Sequence, residues 1–359
     1  MKKSNLAIIV ALALSAPYSM AASVGNMNVS GFGSVGVGIA NNDAGYAGYE
    51  NKVDYKQDSL LGLQFDFQVN DRAKVTTQLV ANGRYDFDPT VEVAYLSYDL
   101  DFATVRGGKL RTPFFMYSDY LDVGYAYPML RPSQEIYELL IISNFTGIDA
   151  LIPIKLGNTT LQLQPFTGVS QVEERDSTLG SQVDIKDAFG LTANWYIDDW
   201  TLRGSYTQAR TEEHENLMVS DKKSTFASFG LQYNDGALLF NTEGMLMKLS
   251  GKYPDVQAVS ALLGYQFGAF TPYVASAWVK STDNDQRTNP VESIFSMKRT
   301  SYSAGMRWDL APKVALKTEV TYADFHGTVG GITSNVDLSS FKPLYDDSLV
   351  YSVSLDFVF

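Results

Sequence analysis

The chain has 359 residues, no cysteine and a formal net charge of −12 at pH 7. It therefore has no disulfide, thiolate metal site or cysteine nucleophile, and its negative charge argues against nucleic acid as a partner. Hydrophobic residues make up 45% of the chain, yet the mean hydropathy is only −0.10, which indicates that apolar and polar residues are interleaved.

The first residues have the pattern of an export signal. A positive start at Met1-Lys2-Lys3 precedes an apolar stretch over 6–16, and Ser19-Met20-Ala21 has the small-x-small form of a cleavage site. We predict a signal peptide at 1–21 and an exported domain at 22–359. No later segment approaches the ~18 consecutive apolar residues of a membrane helix. The exported domain is therefore either soluble or a closed barrel, because only helices and barrels satisfy every backbone group in lipid.

Alternating polar and apolar residues predict sixteen strands along the rest of the chain. The segments are 27–39, 59–69, 73–82, 91–100, 104–113, 145–156, 159–170, 187–197, 200–210, 225–234, 237–249, 256–267, 269–280, 299–309, 313–325 and 347–359. Short links with turn residues, such as Asn234-Asp235-Gly236, alternate with longer connections, of which 114–144 is the longest. This alternation and the even strand number are typical of bacterial outer-membrane barrels.

The first predicted strand contains Gly31-Phe32-Gly33-Ser34-Val35-Gly36, which matches the spacing of a dinucleotide-binding fingerprint. No strand precedes it in a βαβ unit and no helix follows it. Close approach of the backbone within a barrel strand is therefore the preferred interpretation of these glycines.

Charged residues within the predicted strands are expected to face the lumen, since a cation at mid-depth in lipid costs roughly 2–4 kcal/mol. Lys109 and Arg111 share one strand face, with Leu110 on the other. By the same argument we expect four further cations to face the lumen, namely Arg203, Arg299, Arg307 and Lys317. We expect this basic wall to face acids of the long 114–144 loop, namely Asp119, Asp122, Glu135 and Glu138, and to produce a transverse field across a pore. Alternatively, these charges pair locally and only solvate the lumen.

Other polar and aromatic residues have less specific patterns. Tyr117, Tyr120, Tyr125 and Tyr127 would suit an aromatic track for sugars, but packing of the loop against the barrel wall is the preferred interpretation. His214 and His326 lie in separate polar connections and do not predict a metal or catalytic site.

The last residues predict a strand with one apolar face, made up of Tyr351, Val353, Leu355, Phe357 and Phe359. Ser352, Ser354 and Asp356 form the other face, which suits an aqueous interior. A half-buried strand of a soluble protein has the same alternation. The sixteen-segment pattern and the export signal favour the barrel.

Taken together, the export signal, the alternating segments, the long third loop after Gly107-Gly108-Lys109-Leu110-Arg111-Thr112-Pro113-Phe114 and the terminal Phe359 resemble the general diffusion porins of Gram-negative outer membranes. The resemblance implies an all-β transmembrane antiparallel barrel of about sixteen strands, usually a homotrimer, whose third loop, 114–144, folds into the lumen and narrows the pore. It also implies passive diffusion of small hydrophilic solutes and ions, and a terminal strand read by the barrel-insertion machinery. Membrane lipid and lipopolysaccharide are the expected surroundings, without cofactor or enzymatic activity.

Two alternatives to general diffusion remain open. One is a substrate-selective channel for sugars or organic anions, and the other is a barrel enzyme or a surface adhesin or phage receptor. The loop reads Phe115-Met116-Tyr117-Ser118-Asp119-Tyr120-Leu121-Asp122, without the Pro-Glu-Phe-Gly-Gly-like tip of some porin third loops. The shape of the constriction therefore does not follow from the resemblance.

Overall fold

A computed structural model describes residues 22–139, 142–172, 183–213, 222–249, 254–286 and 295–359. The predicted signal peptide and His214 lie outside these residues. Among the described residues, no helix has both the length and the apolar character needed to cross a membrane.

Sixteen antiparallel strands form one closed sheet. They are β1 Met27–Ala40, β2 Leu60–Gln68, β3 Ala73–Asn82, β4 Pro89–Asp99, β5 Thr104–Arg111, β6 Asn144–Leu156, β7 Thr159–Val172, β8 Val183–Ile197, β9 Trp200–Glu213, β10 Lys222–Asn234, β11 Leu238–Leu249, β12 Val256–Tyr265, β13 Phe270–Ser281, β14 Lys298–Ala311, β15 Val314–Asp324 and β16 Asp347–Val358. Each strand pairs with the next along the chain and β16 pairs with β1, so the barrel has no open edge.

The shorter elements lie at the strand ends and in the connections. One four-residue helix, α1, spans Gln134–Tyr137, and 3-10 turns span Tyr46–Gly48, Gly83–Tyr85, Ser118–Tyr120, Gly124–Ala126, Asn284–Gln286 and Thr333–Asn335. Ala22–Val24 pairs with the start of β1, and Val336–Asp337 pairs with Lys342–Pro343.

The predicted sixteen-stranded barrel is confirmed, with strand ends shifted by only a few residues. The largest shifts are in β8, β9 and β10, which extend further toward their long connections. One consequence is that Glu212, expected in a connection, belongs to β9. Propensity does not mark where a strand stops, because the ladder continues as long as the neighbouring strand offers hydrogen-bond partners.

Alternation along each strand separates an outward apolar face from an inward polar face. On β15, Lys317 and Glu319 are buried, whereas Val320 and Tyr322 are among the exposed large hydrophobic residues. The outward residues are exposed because lipid, not protein, covers them. The inward residues are buried because other parts of the chain fill much of the lumen.

Two aromatic side chains of the last strand lie over glycines of the first. Phe359 and Gly31 exchange backbone hydrogen bonds of 2.9 and 3.0 Å. A Cβ atom at Gly33 would lie 2.6 Å from the Phe357 ring, and one at Gly31 would clash with the Phe359 ring. The glycines therefore allow close approach where the barrel closes, as the sequence predicted.

Leu110 was predicted to lie on the lipid-facing side of β5, and this prediction is wrong. Leu110 pairs with Phe145, and both are buried in a cluster with Phe114 inside the barrel. The parity argument assumed an aqueous lumen along all of β5. Here aromatic residues of the following connection provide an apolar surrounding, so an inward leucine is stable.

Lys109 consequently has the parity of the outward face. It pairs with Ala94, the last pair of the β4–β5 ladder, and its ammonium donates to the Val91 carbonyl at 2.6 Å just beyond that pair. The side chain thus occupies the seam between β4 and β5, where it also borders the space inside the barrel. Arg111 is the last residue of β5, and its guanidinium reaches the inward-facing Gln78 at 3.1 Å.

Candidate functional site

Three long connections meet inside the barrel. We call them L1 (41–59, between β1 and β2), L3 (112–143, between β5 and β6) and L8 (325–346, between β15 and β16); residues 140–141 of L3 are outside the described residues. Their contacts with inward-facing strand residues define the candidate site.

Aromatic residues of L3 pack on the inner faces of the strands. The ring of Phe226 on β10 has its centroid 4.5 Å from that of Phe114 and 5.4 Å from that of Phe115. Tyr117 and Tyr127 are buried, and burial raises the pKa of both well above the ordinary tyrosine value. These neutral, covered rings favour the packing interpretation over a sugar track.

Glu243 of β11 holds two separate parts of L3. Its carboxylate accepts hydrogen bonds from the Met116 backbone N–H at 2.9 Å and from the Tyr137 hydroxyl at 2.8 Å. The Phe114 carbonyl accepts a further bond from Ser228 of β10. The loop is therefore attached to the wall at both its beginning and its end.

Lys317, predicted to face the lumen, supports the middle of L3. Its fully buried ammonium donates to the Gly124 carbonyl at 2.5 Å and the Met129 carbonyl at 2.8 Å. Asp356 of β16 lies 3.0 Å away and balances its charge. This lysine binds the loop backbone and does not present a free charge to the lumen.

Arg307 acts on the same part of the loop. Its guanidinium donates to the carbonyls of Tyr125 at 2.6 Å and Tyr127 at 3.2 Å, and it is paired with Asp309 at 2.8 Å. It also lies over the Tyr125 ring, 4.5 Å from the centroid.

Glu135 joins all three connections to the wall. The carboxylate, which is fully buried, is 2.8 Å from Arg299 Nε, and it accepts hydrogen bonds from Ser301 at 2.9 Å and Tyr46 of L1 at 3.2 Å. Arg299 also donates to the Gly330 carbonyl of L8 at 3.0 Å. Glu135 and Arg299 therefore fix L1, L3 and L8 together on the inner face of β14.

Arg111 and Arg203 contact two of the three remaining predicted acids, Asp122 and Asp119. Arg111 is paired with Asp122 of L3 and lies 3.3 Å from Glu92 of β4. Arg203 is buried, with Asp119 at 3.8 Å, and its Nε and Nη2 atoms have no hydrogen-bond partner among the described residues.

An open cavity of about 630 Å³ remains between L3 and the inner faces of β1 to β7. Its charged lining residues are the cations Arg84, Lys109, Arg111 and Arg131 and the acids Asp58, Glu92, Asp122 and Glu138. Four of the six predicted constriction residues, Lys109, Arg111, Asp122 and Glu138, therefore border this cavity. Asp119 and Glu135 do not, since they contact Arg203 and Arg299 elsewhere in the lumen.

Sequence reasoning missed Asp58, Arg84, Glu92, Arg131 and Glu243. Arg131 had a usable signal, because it is the only cation in 112–143. The others had none, since a single charge in a polar connection or strand does not indicate which distant residue it will meet.

A family model described as Gram-negative porin matches residues 7–328. No curated protein matches the chain. Solved structures with the same fold include OmpT of Vibrio cholerae in a trimer form (TM-score 0.58, 13% identity, covering 93% of this chain and 99% of that one). An anion-selective porin from Comamonas acidovorans has a TM-score of 0.59 and 15% identity, with 93% of this chain and 99% of that one covered. Salmonella typhi OmpF in complex with daunomycin has a TM-score of 0.62 and 12% identity, with 93% of this chain and 97% of that one covered.

Proposed function

This chain belongs to the Gram-negative porin family, and from that premise we propose that solutes cross its barrel through the cavity between L3 and β1 to β7. The protein is an outer-membrane channel for passive diffusion. The observation that supports this route is that L3 is bonded to the opposite side of the wall by Glu243, Arg299, Arg307 and Lys317. The open volume is left on the side of β1 to β7.

The proposed constriction consists of Lys109, Arg111, Asp122 and Glu138, together with Arg84, Glu92, Asp58 and Arg131. Four cations and four acids line this cavity, so its formal charge is balanced. Mixed charges without a large apolar patch suit small hydrophilic solutes of either sign better than one particular ligand. The proposed substrates are therefore small polar solutes and inorganic ions.

A preference for anionic solutes is the second candidate. Within the described residues, neither Arg84 nor Lys109 makes an ion pair, and their polar contacts are to the carbonyls of Gln57 and Val91. Two cations without a paired carboxylate would raise the local anion concentration.

The proposed assembly is a homotrimer in the outer membrane, exported by the predicted signal peptide and surrounded by lipid and lipopolysaccharide. The trimer form of the similar Vibrio cholerae structure supports this assembly. We propose no catalytic activity. The described histidine, His326, lies in L8 beside Asp324 at 3.5 Å and Thr300 at 2.8 Å, away from the cavity.

Reconstitution in planar bilayers tests this function. We expect discrete ohmic conductance steps. In a salt gradient the reversal potential should be small if the balanced lining dominates. It should have the sign of anion selectivity if Arg84 and Lys109 dominate. Absence of conductance from protein that shows a heat-modifiable barrel would contradict the proposal.

A further inference from the structure

The guanidinium of Arg131 in L3 makes four hydrogen bonds to other parts of the chain. Its Nε and Nη2 atoms donate to Asp58 of L1, with an Nε distance of 3.0 Å, and Nη2 also donates to Ser352 of β16 at 2.6 Å. Nη1 lies 3.4 Å from Glu319 of β15. One guanidinium thus joins two connections and two strands, in the bidentate geometry that arginine forms with carboxylates.

The partners of Arg131 are themselves fixed. Asp58 accepts a hydrogen bond from the Tyr49 hydroxyl at 2.7 Å, and Glu319 accepts one from the Tyr273 hydroxyl at 2.8 Å. Tyr273 in turn accepts a bond from the backbone N–H of Leu130, next to Arg131, at 3.1 Å. L1 and the wall therefore offer a rigid receptor for this part of L3.

Asp58 is ionised despite its position inside the barrel. Burial alone would raise its pKa, but the charge and hydrogen bonds of Arg131 outweigh burial and hold the pKa of the carboxyl below its ordinary value. Both members of the pair carry their charge, and each would be left without its main counter-ion if the other were removed.

Arg131 also stands between two cavities. It borders the large cavity on the β1 to β7 side and a second, small cavity of about 50 Å³ between L3 and the strands β11 to β15. Pro132, Gln134 and Tyr137 border both cavities as well. The segment 131–137 is therefore a partition one chain thick.

We propose that the Arg131–Asp58 pair positions this partition and thereby sets the size limit of the channel. The pair holds the first residue of the partition against L1, while Lys317 holds Met129 and Arg299 holds Glu135 on either side. Without the pair, residues 131–134 lose the bidentate ion pair that holds them between those two points, while Leu130 stays bonded to Tyr273, and they move toward the second cavity. The passage then gains part of that cavity's volume. Arg131 and Asp58 are positioning residues in this proposal, which rests on the proposed route of solutes through the large cavity.

The test is liposome swelling with neutral sugars of increasing size, so that direct charge effects on the solute are absent. Asp58→Asn breaks the ion pair without removing volume, and Arg131→Ala removes the other partner. For both variants we expect the swelling rate with the largest sugar, relative to the smallest, to rise about twofold or more. Asp149→Asn is the matched control, because it neutralises another buried lumenal carboxylate that is paired with an arginine, Arg106, but borders neither cavity. It should retain the wild-type ratio.

The outcomes separate the two proposals. Wild-type protein that admits none of the sugars would overturn the proposed route. Permeable wild type with unchanged ratios in both folded variants would overturn only the positioning role, as would an equal rise in Asp149→Asn. Loss of the heat-modifiable barrel in both variants would make the pair a requirement for folding and would also overturn it.

Discussion

The guanidinium of Arg111, at the end of β5, is bonded to the carboxylate of Asp122 in L3 and lies 3.3 Å from the carboxylate of Glu92. One positive charge is thus held between two negative charges, which leaves a formal charge of −1 for the three residues. The contact connects the strand wall to the loop that faces it. It also determines what neutralisation of Arg111 does to the field in the cavity.

Arg111→Ser should shift the reversal potential in a salt gradient toward cation selectivity. Asp122 and Glu92 would then face the passage without their shared cation, and a fixed negative charge raises the local cation concentration. Lys109→Ser should shift it in the same direction, and both effects should be largest at low salt, where screening is weak. Glu212→Gln is the control, because Glu212 is bonded to Lys186 at the loop end of β8 and β9. An equal effect of the control would contradict this assignment.

Leu355→Arg should destabilise the barrel by about 2–4 kcal/mol, because it puts a cation on the lipid-facing side of β16. Leu355 pairs with Leu316 of β15 and Val35 of β1, so the charge would lie among outward apolar side chains. Deletion of Phe359 should also reduce insertion, since the ring covers Gly31 and its backbone closes the ladder. The yield of heat-modifiable barrel in outer-membrane fractions measures both, with Leu355→Met as control. Wild-type yields for the arginine variant would contradict the lipid-facing assignment.

Cysteines introduced into this cysteine-free chain should report which L3 residues are accessible. Asp122→Cys should react slowly with a bulky impermeant thiol reagent and readily with a small one, because Asp122 borders the inner cavity and its side chain is largely covered. Ser339→Cys, in an exposed part of L8, should react rapidly with both reagents. Equal, fast labelling of both positions by the bulky reagent would place Asp122 outside the lumen.

The contribution of the Arg131–Asp58 pair to the size limit should be lost only in strong acid. The pKa of Asp58 is below the ordinary 3.8, so its pairing with Arg131 stabilises the fold above 3.8 and is lost as the pH falls through the lowered value. The ratio of swelling rates for large and small sugars should stay constant from neutral pH to about 4 and rise below it. Asp58→Asn should show no such step. A rise already near pH 6 in wild type would assign the change to another group.

The strand pattern could be predicted because each barrel strand faces lipid on one side and water or polar groups on the other. This environment imposes a period of two on every strand, as in Lys317, Glu319, Val320 and Tyr322 of β15. The same rule predicted that four cations face the lumen, and each of them contacts L3 in the structure: Arg203, Arg299, Arg307 and Lys317. The rule failed at Leu110, where the lumen is filled by apolar side chains of L3.

The alternating pattern was enough to predict the barrel, its sixteen strands and its closure through the last strand, and the motifs pointed to the family. Which lumenal charges meet became clear from the folded chain alone. Glu135 and Arg299 are separated by 164 residues, and Arg131 and Ser352 by 221. Strand alternation depends on adjacent residues and one repeated environment, whereas these pairs depend on the path of three connections through the lumen. No local pattern encodes that path, because it is set by packing of the whole chain.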